Sequence, residues 1–302
     1  MNKLTLAVPY FNKLYETKGI MALLKQNTSE DTEWMIIDNN SDDNVEWFFR
    51  TVLKPKKLNF IKNEKNIGLV KTYQQIIDLC ETEYLAILHS DVFIYEKDWD
   101  QRAIKKFEEI DKLGMIGFFG AQGCDSDAGR IQDVEYYGQM AGWSNMLEAE
   151  IHGLRAKEEY LPAAVFDGFA LIFNMKMLKE SAGIDQNYFY HHIYDRELSL
   201  ISLALGYKNI ILNVPCHHVG GLSTGDPRYL PWLRKELNFP DNQNPDAFLH
   251  DKNTIYFLQK WEACLPFYVE KDFSFRKDSE NRFGKSIEYK GDTIVGYNFK
   301  RI

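Results

Sequence analysis

Tyr84-Leu85-Ala86-Ile87-Leu88-His89-Ser90-Asp91-Val92-Phe93-Ile94 is the stretch whose reading decides the fold. A run of strand-forming apolar residues, Tyr84 to Leu88, stops at His89-Ser90-Asp91, and a second short run follows from Val92 to Ile94. An imidazole and a carboxylate two positions apart, at the end of a buried strand, are costly unless they meet water, a cation or a ligand. The triplet is therefore a candidate binding point, and the flanking sequence supplies its surroundings.

Upstream, Leu4 to Val8 reads as a buried strand ended by Pro9. Trp34 to Ile37 reads as a second, ended by the polar cluster Asp38-Asn39-Asn40-Ser41-Asp42-Asp43, and Leu58 to Ile61 as a third. Helix-period apolar positions lie between them, at Tyr15 to Gln26, Val45 to Val52 and Leu69 to Cys80. This alternation predicts an α/β fold whose parallel strands are joined by right-handed crossovers. In such sheets ligands sit beyond the carboxyl ends of the strands. Here those ends carry Pro9-Tyr10-Phe11-Asn12, Asp38-Asn39-Asn40-Ser41 and His89-Ser90-Asp91, which are expected to face one crevice.

Downstream, Trp99 to Lys112 reads as a helix and Met115 to Phe119 as a strand. Residues 120–159 show no clear period, as in loops that cover a site. Asp167-Gly168 leads into a strand through Phe173. Tyr194-Asp195-Arg196-Glu197 opens a helix stopped by Gly206, and Asn209 to Val214 is a strand followed by His217-His218-Val219-Gly220-Gly221. After Gly225 prolines punctuate a polar stretch. A helix from Phe248 to Cys264 and a hairpin around Gly291 complete the reading.

The 302 residues accommodate one large α/β domain, or a domain with an appendage. A net charge of −8 argues against a general nucleic-acid binder. The four cysteines form no CxxC pair and read as reduced, buried thiols. The N-terminus lacks a signal-peptide pattern and no stretch is long and apolar enough to span a bilayer, so a cytoplasmic protein is expected. No GxGxxG follows the first strand, which excludes a dinucleotide-dependent dehydrogenase. A nucleotidyltransferase would carry a Gly-rich basic loop where Pro9-Tyr10-Phe11-Asn12 stands.

The order of these motifs resembles the family 2 glycosyltransferases. Leu6-Ala7-Val8-Pro9-Tyr10-Phe11-Asn12 is similar to their opening strand, Ile36-Ile37-Asp38-Asn39-Asn40-Ser41-Asp42-Asp43 to their nucleotide motif, and Asn63-Glu64-Lys65-Asn66-Ile67-Gly68 to their Asn-rich loop. His89-Ser90-Asp91 falls where the family has Asp-x-Asp. Asp167-Gly168 resembles the acceptor-side motif, Tyr194-Asp195-Arg196-Glu197 the base motif, and His217-His218 before Gly220-Gly221 the late metal-ligand histidine. The resemblance covers roughly residues 3 to 225.

It implies a GT-A fold over residues 1–225, with a nucleotide-binding half (1–95), an acceptor-binding half (96–225) and a C-terminal extension (226–302). It implies metal-assisted, inverting transfer of a sugar from a nucleoside diphosphate sugar, most commonly a UDP-sugar, to a glycan, lipid-linked or protein acceptor. Asp91 would bind Mn²⁺ or Mg²⁺, or else cap the turn after its strand. Neighbours on an extended segment point to opposite sides, so only one of the two late histidines would join it, and His218 is preferred to His217. Asp195 would be the general base, or else an N-cap. His89 and Ser90 would line the donor site, Asp38 would accept from the base or ribose, and Pro9, Tyr10 and Phe11 would shape the base pocket. Asn66 and Lys71 would reach the donor, and Asp167 would bind donor-sugar or acceptor hydroxyls. Trp143 is either a sugar-stacking face or a core residue. The extension would touch a membrane surface, pair subunits or cover the acceptor. Because His89 stands where a carboxylate is usual, an alternative is a catalytically weak member that acts as a nucleotide-sugar binding or assembly module.

Overall fold

Leu4–Tyr10 forms β1 with every residue buried. It is followed by α1 (Leu14–Asn27), β2 (Glu33–Asp38), a short helix α2 (Val45–Trp47), β3 (Leu58–Lys62), α3 (Leu69–Leu79) and β4 (Tyr84–Leu88). The computed structural model describes residues 2–131, 143–144, 154–222, 225–275, 288–290, 293–295 and 299–300. β5 (Val92–Ile94), α4 (Trp99–Glu109), β6 (Leu113–Gly117), β7 (Phe119–Ala121), β8 (Gly123–Cys124) and β9 (Arg130–Ile131) follow. The second half contains β10 (Tyr160–Pro162), β11 (Val165–Phe166), β12 (Ala170–Asn174), α5 (Met175–Glu180), α6 (Tyr194–Ala204), β13 (Lys208–Leu212) and β14 (Cys216–His218). Then come α7 (Tyr229–Leu237), α8 (Pro245–Trp261) and β15 (Phe267–Tyr268).

The main sheet has the order β10-β13-β6-β12-β4-β1-β2-β3. Only β12 and β10 run against the rest. Alternate residues of the parallel strands serve two cores. Ala7, Met35, Ile37, Leu85 and Ile87 pack beneath α3, α6 and α8, while Leu6, Val8, Ile36, Ala86 and Leu88 pack beneath α1 and α4. With both faces covered, the strands must be apolar on both sides, which is why they read as unbroken apolar runs.

Three sequence expectations need correction. Pro9 does not end β1: pairing with β4 stops at Ala7, but the strand continues beside β2 through Pro9 and Tyr10. Pro9 thus sits where one neighbour remains, the condition under which a strand tolerates proline. The helix read over Val45 to Val52 is instead α2 followed by a π-helical turn, Phe48–Leu53. The adjacent Phe48 and Phe49 are both buried there, with their rings edge to face at 5.7 Å. Finally, the proline-punctuated stretch holds two helices. Pro231 and Pro245 lie in the first turns of α7 and α8, where a missing N–H costs no intrahelical bond. Backbone pairing of Glu288–Lys290 with Thr293–Val295 agrees with the expected hairpin. Among the described residues no helix is long and apolar enough to cross a membrane.

α8 is joined to the rest of the molecule by a buried ion cluster as well as by Phe257 and Trp261. Lys260 Nζ donates to Asp185 Oδ2 at 2.8 Å and also to Glu197 Oε1, and Tyr256 Oη donates to the same Asp185 oxygen at 2.9 Å. The three charged residues are 5% or less exposed. Removing the cation leaves two buried carboxylates facing each other, so Lys260→Met is expected to cost about 3–5 kcal/mol. Urea denaturation checks this. A loss below ~1 kcal/mol would show that the cluster is not a structural tie.

Candidate active site

The carboxyl ends of β1 and β4 open into a cleft of about 440 Å³. The loop after β1 is zipped to the loop after β2. Asn39 N–H donates to Tyr10 O at 2.8 Å, Asn12 N–H to Ser41 Oγ at 2.8 Å, and Asp42 N–H to Asn12 Oδ1 at 3.0 Å. Pro9, Tyr10, Phe11 and Asn39, from these joined loops, line the cleft, as does Asn66. The Tyr10 hydroxyl donates to Asp43 Oδ2 at 2.9 Å.

β5 and β14 pair antiparallel, with His218 opposite Val92. That register sets His218 beside Asp91, Nε2 to Oδ1 at 3.3 Å. The His218 ring stacks on Phe169 at 4.7 Å and meets His89 edge-on at 5.6 Å. His217 turns the other way, its ring 5.7 Å from Phe93. Donor atoms of His89, Asp91 and His218 lie within 4.8 Å of one another. Buried His89 Nε2 has no hydrogen-bond partner in the protein. Two imidazole nitrogens and one carboxylate at this spacing fit a single divalent cation. Burial works against the Asp91 carboxylate, but the hydrogen bond and charge of His218 outweigh it and hold the group below its usual range. Burial, with His218 adding to it, pushes the His89 imidazole down to about 4, so it is neutral near pH 7.

The opposite wall is acidic and partly neutralised. Asp167, just before Gly168, forms an ion pair with Arg130 from β9. Burial opposes ionisation of Asp167, yet the Arg130 charge and hydrogen bond pull its carboxyl below the usual range. Asp195, in the first turn of α6, accepts the Arg196 N–H at 2.9 Å and borders the cleft. Burial raises its pKa, the Asp167 charge adds to the rise, and Arg196 and Arg130 oppose it. Gly168 lets this wall close up. A Cβ there would stand 2.5 Å from Tyr194 Oη and 3.5 Å from Asp195 Cβ. Its carbonyl accepts from Tyr73 Oη at 2.9 Å.

Of the residues singled out in the sequence, Pro9, Tyr10, Phe11, Asn66, His89, Ser90, Asp91, Asp167, Asp195 and His218 line one cleft. Two do not. Asp38 is fully buried behind the wall, its Oδ1 accepting the Ser41 N–H at 2.8 Å and its Oδ2 3.6 Å from Lys62 Nζ. Lys71 is on the exposed face of α3. The side chain of Trp143 lies outside the described residues. Sequence reasoning missed Arg130, in a stretch without period, and the residues of the far rim: His191, His192, Tyr229, Trp232, Asp246 and His250. The His191-His192 pair was visible as a signal; the α7 and α8 residues lay in a segment read as a separate extension.

Residues 5–181 match the family described as glycosyl transferase family 2. No curated protein sequence matches the chain. Among solved structures, the mannosyltransferase PcManGT from Pyrobaculum calidifontis, in complex with GDP-Man and Mn²⁺, is 15% identical with a TM-score of 0.52, over 86% of this chain and 71% of that one. GalNAc-T7 with UDP, GalNAc and Mn²⁺ is 11% identical with a TM-score of 0.56, over 72% of this chain and 43% of that one. S. aureus TarS 1-349 is 14% identical with a TM-score of 0.50, over 86% and 71%. At these identities the likeness is one of fold.

The Gly168 approach yields a test. Gly168→Ala drives a methyl into the Tyr194 hydroxyl, and both Tyr194 and its partner Tyr73 are buried. Overpacking of this kind is expected to cost about 1–3 kcal/mol. Thermal and urea unfolding measure it, and an unchanged midpoint would show that the wall yields freely.

Proposed function

The chain belongs to glycosyl transferase family 2 and is a glycosyltransferase of GT-A fold, and we propose that it transfers a sugar from a nucleoside diphosphate donor to an acceptor hydroxyl with inversion. The observation that carries this reading is the meeting, in one cleft, of the Asp91–His218–His89 cluster with a carboxylate of raised pKa, Asp195. Two of the similar structures hold Mn²⁺ with a nucleotide sugar or its parts, and we carry that donor class over to this chain.

In this reading the wall of Pro9, Tyr10, Phe11 and Asn66 receives the base and ribose, with UDP-sugars as the first donors to screen. Asp91 and His218 hold a divalent cation, Mn²⁺ or Mg²⁺, with neutral His89 and Ser90 beside it. When bound, such a cation neutralises charge on the departing diphosphate. Asp195 takes the proton of the acceptor hydroxyl as its oxygen attacks the anomeric carbon and the nucleoside diphosphate leaves from the opposite face. A carboxylate of raised pKa is the stronger base, so the Asp167 charge next to Asp195 favours proton uptake. Arg130 ties Asp167 in place and leaves its free oxygen capacity for sugar hydroxyls. Trp232, on the cleft rim and edge-on to Tyr190 at 5.4 Å, offers the acceptor an aromatic face. We assign residues 1–95 to the donor and 96–225 to the acceptor, with Tyr229, Trp232, Asp246 and His250 of the C-terminal extension on the acceptor rim, and the protein to the cytoplasm with glycan, lipid-linked or protein acceptors.

Asp91→Ala is expected to weaken Mn²⁺-dependent UDP-sugar or GDP-sugar binding by at least about tenfold. Calorimetry with and without Mn²⁺ reads this, and equal affinities would remove Asp91 as a ligand. Asp195→Asn should retain donor binding while transfer falls by about 10²–10⁴. In the intact enzyme the base must be ionised, and burial raises its pKa above the ordinary 3.8. The acid limb of kcat/KM should therefore lie above that value, with activity rising as pH increases through it. A limb at or below 3.8 would assign the base elsewhere.

A further inference from the structure

The far rim of the cleft holds a second cluster, separate from Asp91 and His218. Nε2 of His191 and Nε2 of His192 both point to Oδ1 of Asp246, at 2.6 and 3.1 Å, and the two rings are 4.0 Å apart. Consecutive side chains on an extended segment would diverge. Here they converge because the backbone is left-handed at His192 (φ 72°), as it is at Tyr190 (φ 50°) and Ile193 (φ 67°). For residues other than glycine such conformations cost of order 1–3 kcal/mol each and persist only where the surroundings enforce them.

The surroundings do enforce them. Fully buried Asn253, on α8, accepts the Phe189 N–H at 3.0 Å and donates to Phe189 O at 3.0 Å and His191 O at 2.5 Å. From α3, Val70 N–H donates to Tyr190 O at 2.9 Å. The Tyr229 hydroxyl lies 2.9 Å from His191 Nδ1 and 3.2 Å from its Nε2 and so holds the ring in place. One turn along α8 from Asp246, His250 brings its ring to 5.4 Å from that of His192. All four donor residues border the cleft.

We propose that His191, His192 and Asp246 form a second divalent-cation site on the acceptor rim, selective for a borderline metal of the zinc class, with its fourth position toward His250 and the cleft. Two imidazoles and one carboxylate with an open position form the donor set of zinc sites that keep an exchangeable ligand. With His250 at the fourth position the set becomes three imidazoles and one carboxylate, richer in nitrogen than a donor-side ion that Asp91 and His218 would share with diphosphate oxygens, and this favours zinc over magnesium or manganese. The three donor atoms lie within 4.8 Å of one another, so small side-chain adjustments bring them around one ion. The bound ion ties α8 to the loop that leads into α6. This site is independent of the donor-side cluster and of the base assignment.

The experiment is a Zn²⁺ titration of the metal-free protein by calorimetry, with Co²⁺ absorption as a geometric readout. The background variant carries Asp91→Ala and His218→Ala, so that the donor-side cluster cannot contribute. One Zn²⁺ per chain should bind, with intense visible Co²⁺ bands of a four-coordinate site. Adding His192→Ala, whose side chain is 30% exposed and not needed for the core, should weaken Zn²⁺ at least ~100-fold and abolish the bands. Asp246→Asn should do the same, with circular dichroism unchanged in both. Absence of Zn²⁺ binding in the background variant, or binding that survives both substitutions, would overturn the site and leave a histidine–carboxylate hydrogen-bond cluster. Loss of transferase activity in Asp91→Ala bears only on the donor side, so the two readings fail separately.

Discussion

When Cys216, His217 and His218 pair with Ile94, Phe93 and Val92, a histidine from late in the chain is set against Asp91, and the rest of the site is ordered from that ladder. The His218 ring stacks on Phe169. The Phe169 carbonyl accepts the His89 N–H at 2.8 Å, which fixes the first member of the triplet. The preceding residue, Gly168, leaves the space a Cβ would take, 2.5 Å from the Tyr194 hydroxyl and 3.5 Å from Asp195 Cβ. The proposed cation-binding cluster and the proposed base are thus two ends of one packed series: His218, Phe169, Gly168, Tyr194, Asp195. A shift of one residue in the ladder would exchange His218 for His217 and point the wrong imidazole at Asp91.

The parts of the site that were legible in the sequence are those attached to an apolar run. Asp91 follows a strand, His218 ends one, Asp167 precedes one, and Asp195 lies in the first turn of a helix. Each is polar where the parallel-sheet topology puts ligands. The helical period also contained the answer for Lys71. Val70, Tyr73, Ile76 and Ile77 face the core, which leaves Lys71 outward whatever motif surrounds it. Asp38 carries the same strand-end signal as Asp91, and the sequence does not say that its carboxylate turns back to its own loop. Arg130 acquires its role only through Asp167, 37 positions away. His191 and His192 were plain as a pair, but a left-handed backbone at a non-glycine residue has no local signature, so their convergence was hidden.

Charge explains why a cleft with several carboxylates can receive an anionic donor. Asp167 is neutralised by Arg130, and Asp91 is held by His218. Burial, together with the Asp167 charge, makes Asp195 reluctant to ionise. The wall therefore presents fewer net negative charges than its residue list suggests. The remaining imidazole of the triplet is neutral, so it can donate or coordinate without adding repulsion. The departure from two carboxylates at this position thus reduces repulsion toward a diphosphate while giving up some attraction for a hard cation.

The helix α8 shows how far the C-terminal segment takes part in this arrangement. Asp246, Asn253 and Lys260 recur at seven-residue spacing and so lie on one helical face. A polar stripe of this spacing ordinarily reads as a solvated face. Here Asn253 is fully buried and Lys260 nearly so, and each member grips a different point of the segment around Asp195. Asp246 meets His191 and His192, Asn253 holds the backbone of Phe189 and His191, and Lys260 joins Asp185 to Glu197. Buried polar groups are tolerated only when their partners are in place. The stripe can therefore be satisfied only if residues 185–197 adopt this path. It follows that α8 does more than cover a finished site: it selects the one conformation of the preceding loop in which Asp195 enters the cleft and two neighbouring imidazoles face the same oxygen.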